Sequence, residues 1–208
     1  ISNNSIANKE GAELSKVYMV GNVLIDNIRF LQQRMQRPAV MDQEHLEEGK
    51  YLLLTLNRKA IVNNIEEMKK LISTIDGVAP LRGKALGFVL AFKAYQDVAD
   101  HQSGIMVVQP QGYLDFSYLA AHAMGVITDS GNVAEEATFN GVPCITLNSY
   151  TEHLETVTVG TNELVAEDPE KLQLAMEKIV KGEWKKAGIP DRWDGRSAER
   201  IVQIICGE

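Results

Sequence analysis

The stretch Tyr51-Leu52-Leu53-Leu54-Thr55-Leu56 limits most tightly what this chain can fold into. It is shorter than an ordinary buried helix and lacks the polar alternation of a strand with one wet face. An apolar strand of this kind is covered on both faces, as in parallel sheets sandwiched between helices. The flanking pattern agrees. Further short β-rich runs fall at 87–92, 105–108, 125–128 and 142–147, with an extended stretch at 16–20.

Helical patterns alternate with these runs, as an α/β sheet requires. Leu24, Ile25, Ile28, Leu31 and Met35 repeat at helical spacing until Pro38 stops them. Ile61, Ile65, Met68 and Ile72 predict a helix ending near Asp76-Gly77, and 113–124 and 132–139 predict two more. Asp168-Pro169 reads as an N-cap with proline at the first helical position, ahead of Leu172, Ala175, Met176 and Ile179. Ala198, Ile201, Val202 and Ile205 give a final amphipathic helix. Residues 42–48 read as a short acidic helix or turn, and the polar stretch 184–196 as a surface loop. The expected fold class is α/β, a Rossmann-like doubly wound parallel sheet of roughly five or six strands.

Charge and cysteine usage narrow the function. A formal net charge of −7 argues against a nucleic-acid partner, whose backbone needs clustered Lys and Arg. It leaves a single phosphorylated ligand open, because N–H groups at a helix start hold phosphate without a basic patch. The two cysteines, Cys144 and Cys206, form neither a disulfide framework nor a metal-ligand spacing. No apolar run approaches the roughly 20 residues that span a bilayer, and no signal peptide is visible, so no membrane and a cytoplasmic setting are expected. Ile1 stands where an initiator Met would, as in a piece of a longer protein.

The segment with most chemistry is Val126-Ile127-Thr128-Asp129-Ser130-Gly131-Asn132, followed by Glu135-Glu136-Ala137. An apolar strand ends in small polar residues and a helix starts at once. That puts a helix N-terminus at the carboxyl edge of the sheet, where phosphate is favoured by free N–H groups and the macrodipole. The same pattern also fits a helix capped by Ser130 or Asp129. Glu135 and Glu136 point about 100° apart on a helix, so at least one is expected to be a solvated charge. Ser149 and Glu152 fit a capping box as well as a ligand role.

Four ordered segments together resemble the nonhydrolysing UDP-N-acetylglucosamine 2-epimerase family. They are Gly21-Asn22-Val23-Leu24-Ile25-Asp26, the strand leading into Asn57-Arg58, the Thr128-to-Ala137 stretch with Gly141-Val142-Pro143, and Thr151-Glu152 through Gly160-Thr161. The resemblance implies the C-terminal half of a GT-B fold. Residues 1–40 would be the interdomain connection and first helix, 41–185 the UDP-binding domain, and 186–208 a loop and helix crossing to a missing N-terminal domain. It implies a UDP-sugar as partner, admits a homodimer, and calls for no cofactor and no metal. Ser130, Gly131 and Asn132 would lie at the diphosphate, Glu136 at the ribose and Phe116 against the uracil, while Arg58, Thr151 and Glu152 would line the cleft. The implied reaction is interconversion of UDP-GlcNAc and UDP-ManNAc for cell-surface polysaccharides, with the fragment alone inactive.

Several positions depart from the family pattern. Asn57 and Lys93 replace family histidines, Asn132 a glycine, Asn148 an arginine, and His153-Leu154 an Arg-Pro pair. Charge at the phosphate is thereby expected to be reduced. A GT-B glycosyltransferase donor domain and a noncatalytic descendant binding a nucleotide-sugar or a protein stay open.

Overall fold

The computed structural model describes residues 11, 13–56, 64–78, 87–90, 105–166 and 168–207. After a 3-10 turn at Leu14–Lys16 come α1 (Val23–Leu31), a second 3-10 turn at Gln32–Arg34 and α2 (Ala39–Gln43). Then follow β1 (Leu52–Thr55), α3 (Ile65–Val78), β2 (Gly87–Leu90) and β3 (Ile105–Val108). The second half runs α4 (Tyr113–Ala121), β4 (Gly125–Thr128), α5 (Gly131–Asn140), β5 (Cys144–Thr146), α6 (Leu154–Thr158) and β6 (Asn162–Leu164). Two helices close the chain, α7 (Pro169–Lys181) and α8 (Ser197–Cys206).

The six strands form one sheet in the order β3-β2-β1-β4-β5-β6, and every pairing is parallel. This is the expected doubly wound sheet. Leu54 sits between Val89 and Ile127 in register, so β1 is central. Strand order reverses between β1 and β4, and the crevice at the carboxyl ends of those two strands is where such sheets bind ligands.

The opening apolar run now has its explanation. Leu52 and Leu54 join Ile127 and Ile145 under α3 and α7, against Met68, Ile72, Leu172 and Met176. Tyr51 and Leu53 join Val126 and Cys144 on the opposite face, against Leu119, Ala120, Val133 and Ala137 of α4 and α5. Alternate residues of one strand thus serve two apolar layers.

The first and last segments of the chain clasp each other. The Asp26 carboxylate on α1 accepts from the N–H groups of Ser197 (3.1 Å) and Ala198 (2.7 Å), capping α8 from a distant part of the sequence. Gly21 takes φ +110, and a Cβ there would stand 2.3 Å from the Arg192 carbonyl oxygen, so only glycine fits this approach. Trp193 is 5% exposed and packs on Ile25 and Ile28 of α1. The expected surface loop at 184–196 forms, and two indoles pin it: Trp184 Nε1 donates to the Thr161 carbonyl at 2.8 Å, and Trp193 is buried against α1.

Other expectations shift for local reasons. Residues 17–20 form no strand, and the short helix or turn expected at 42–48 is the end of α2, which begins behind Pro38, followed by turns at 44–45 and 48–49. The helix over 113–124 stops at Ala121, where Met124 instead donates its N–H to the Tyr51 carbonyl. Neither α6 nor β6 was expected. Residues 57–63 and 91–104, with Asn57, Arg58 and Lys93, lie outside the described residues.

Candidate functional site

The carboxyl end of β4 is built to present a helix start. Thr128 is buried, and its Oγ1 accepts from the Ser130 N–H at 3.0 Å, turning the chain out of the strand. Ser130 is the N-cap of α5 in an extended conformation and makes no side-chain capping bond. The alternative of a helix capped by the Ser130 side chain is thus not what forms. The first turn of α5 carries no acidic residue. Asn132 is exposed beside this mouth, and Ser130 and Gly131 are half-buried.

Both acids of α5 are buried, each 4% exposed, which corrects the expectation that one would be solvated. The reason is that α5 is enclosed on all sides: every residue from Val133 to Thr138 is buried. The two carboxylates meet different surroundings. Glu135 Oε1 accepts from Asn22 Nδ2 at 2.5 Å and lies 3.0 Å from His153 Nδ1. Among the described residues Glu136 has one weak neutral partner, the Ser117 hydroxyl on α4, donating to Oε2 at 3.4 Å. Burial pushes its pKa up to about 7, with the neighbouring Glu135 adding to the rise against the Ser117 bond.

Tyr113, Phe116 and Ser117 lie on the first turns of α4. Burial raises the Tyr113 phenol, and the nearby Glu136 charge adds to it. Phe116 is half-buried against the apolar layer containing Val133. One strand further, Asn148 donates through Nδ2 to the Asp129 carbonyl at 3.3 Å, and its buried Oδ1 has no bonding partner among the described residues.

The loop after β5 approaches the same mouth. Thr151 Oγ1 accepts from the His153 N–H at 3.1 Å, which turns the chain and carries the imidazole against Gly131. Glu152 is exposed. The capping box with Ser149 does not form, since α6 starts only at Leu154 behind His153.

Of the site residues expected from sequence, Ser130, Gly131, Asn132 and Glu136 share α5 and its cap, and Thr151 reaches them through His153. Arg58 lies outside the described residues. Sequence reasoning missed Ser117 and Glu135 as site neighbours; it had Asn22 only as part of a motif and His153 only as a lost arginine. Glu135, His153 and Glu155 offer ligand atoms within 4.8 Å of one another. The His153–Glu135 contact is already a hydrogen bond, so the cluster reads as a bonded pair rather than a metal centre. A groove between α3 and α7, lined by Glu67, Lys70, Leu71, Leu147 and Leu172, shares none of these residues.

Comparison with known proteins agrees with this geometry. The family model described as UDP-N-acetylglucosamine 2-epimerase matches residues 3–206. A UDP-N-acetylglucosamine 2-epimerase of Methanocaldococcus jannaschii is 34% identical over 212 residues, covering 95% of this chain and 56% of that protein. A UDP-2,3-diacetamido-2,3-dideoxy-D-glucuronate 2-epimerase of Pseudomonas aeruginosa is 28% identical, covering 92% of this chain and 53% of its own length. The crystal structure of the M. jannaschii epimerase in complex with UDP-GlcNAc and UDP superposes with a TM-score of 0.78 at 32% identity, over 97% of this chain and 57% of that one. The chain thus spans about half the length of the relatives it matches.

Proposed function

Because the chain belongs to the UDP-N-acetylglucosamine 2-epimerase family, we propose that it is the nucleotide-sugar-binding half of a UDP-GlcNAc 2-epimerase-like isomerase. The observation that carries this reading is the α5 mouth at the strand-order switch, with a buried carboxylate one turn in. Ser130 and Gly131 hold the diphosphate through N–H groups of the first turn, and Asn132 flanks it. Glu136 accepts from the ribose hydroxyls. Phe116 lies against the uracil, and Thr151 and Glu152 line the cleft; Arg58 lies outside the described residues and is assigned to UDP on the family resemblance alone.

In this reading the chain's share of the chemistry is to grip UDP while the sugar is inverted at C2. The proton-moving groups belong to a second domain, which accounts for the relatives' greater length. The outer faces of α1 and α8 are the surface for it: Val23, Phe30, Val202 and Ile205 are all exposed there. No helix among the described residues is long and apolar enough to cross a membrane, and we place the reaction in the cytoplasm. A noncatalytic descendant is the second reading, favoured by Asn57 where a titratable side chain is expected.

Incubating the intact protein with UDP-GlcNAc and following the sugar by proton NMR separates the two. The epimerase reading expects a second C2 epimer to accumulate to equilibrium, and expects Gly131→Val to abolish both turnover and UDP binding. UDP binding without any epimer would leave the noncatalytic reading standing.

A further inference from the structure

The following inference rests on the diphosphate reading above and names a residue that completes it. The His153 imidazole lies against the first residue of α5. A Cβ added to Gly131 would stand 3.0 Å from the ring Cδ2 and 3.3 Å from Nε2, so the glycine is what admits the ring. The other ring nitrogen, Nδ1, is 3.0 Å from Glu135 Oε1.

That carboxylate is itself held. Asn22 donates from Nδ2 to the same oxygen at 2.5 Å, and its Oδ1 accepts from the Leu24 N–H at 2.9 Å as the N-cap of α1. Both ends of one amide are used, so the carboxylate, and through it the ring, is fixed to the start of α1. With Nδ1–H committed to Glu135, Nε2 is the nitrogen left to face the α5 mouth, and no described residue bonds it.

We propose that protonated His153, oriented by Glu135 and Asn22, is the cation of the diphosphate site and donates through Nε2–H to a phosphate oxygen held at the α5 N-terminus. Neutral imidazole would present a lone pair to the anion instead, so loss of one proton turns an attraction into a repulsion. Among the described residues every ionisable group acting on the ring is acidic: Glu135 on α5, Glu155 on α6 and Glu152 on the loop before it. The Glu135 bond is the largest cause holding the His153 pKa above its ordinary value, partly opposed by burial. The loss of phosphate-facing charge expected from sequence is therefore conditional: the charge is kept, and it depends on pH.

The test is calorimetric titration of the intact protein with UDP from neutral to alkaline pH, above the ordinary imidazole value. The Glu136 transition at about 7 is common to wild type and the His153 variants, so the difference between their profiles isolates the imidazole. Wild type should lose affinity roughly tenfold as pH rises, the scale of one charge-assisted hydrogen bond. His153→Gln should bind weakly and His153→Arg tightly, each without that loss. Equal slopes for wild type and His153→Gln, with UDP bound by both, would overturn the role of His153 and leave the diphosphate site intact. Failure of UDP to bind any variant at any pH would overturn both.

Discussion

Glu135 and Glu136 are neighbours on one helix and equally buried, yet they live under opposite electrostatic conditions. Glu135 has two close donors, one of them an imidazole whose pKa it raises. Among the described residues Glu136 has a single distant hydroxyl, and burial drives its pKa to about 7. A carboxylate whose bonds are all made within the protein is a structural clasp. A buried carboxylate short of donors is maintained at the expense of stability, which is the mark of a group kept for a ligand. On the proposed reading, the first acid holds the site together and the second is kept for the nucleotide.

Substitutions can break this contrast, and Glu135→Ala should do so most strongly. It strands the Asn22 amide and releases His153, lowering stability by about 3 kcal/mol in urea unfolding. Glu136→Gln should act in the opposite sense. A raised folded pKa means that stability falls as pH rises from the unfolded value, near 4.5, to about 7, and stays low above. The variant removes that loss. At pH 8 it should unfold roughly 2–3 kcal/mol later than wild type, with no difference near pH 4, while its affinity for UDP falls at least tenfold.

Asn22→Ala removes a cap from α1 and a donor from Glu135, and should cost about 2 kcal/mol, visible as a lower Tm. The smallest effect belongs to His153→Gln in the absence of nucleotide. The stabilisation from its raised pKa is present below the unfolded pKa near 6.5 and disappears as pH rises through the folded value. Melting curves of this variant and wild type should therefore converge toward alkaline pH and separate, by about 1 kcal/mol or less, near pH 6.

The sheet was legible because each central strand is a short apolar run, and its helices because their stripes repeat cleanly. The missed elements are those whose residues argue weakly for any structure. Strand β6 reads Asn162-Glu163-Leu164 and pairs only with β5 at the sheet edge, while α6 contains two threonines and a valine, poor helix formers. Residues 184–196 are the loop their composition suggests, but composition counts every residue equally and does not show that buried Trp193 pins the segment to α1.

The site was legible as a strand-to-helix turn, but not in its charges. Angular spacing shows that Glu135 and Glu136 point apart; it cannot show that α5 is covered in both directions. Asn22 was visible only within a motif, and nothing local reveals that its amide reaches Glu135. His153 read as a lost arginine until its ring was found against Gly131.

The most direct test of the central claim is the titration of the Glu136 carboxyl carbon by NMR in the intact protein, with and without saturating UDP. The account predicts a midpoint near 7 in the free protein, the value that burial gives it. With UDP bound the midpoint should move down by at least one unit, because ribose hydroxyls donating to the carboxylate favour its charged form. A midpoint that UDP leaves unmoved, or one already near 4.5 without it, would contradict the assignment of Glu136 to the nucleotide.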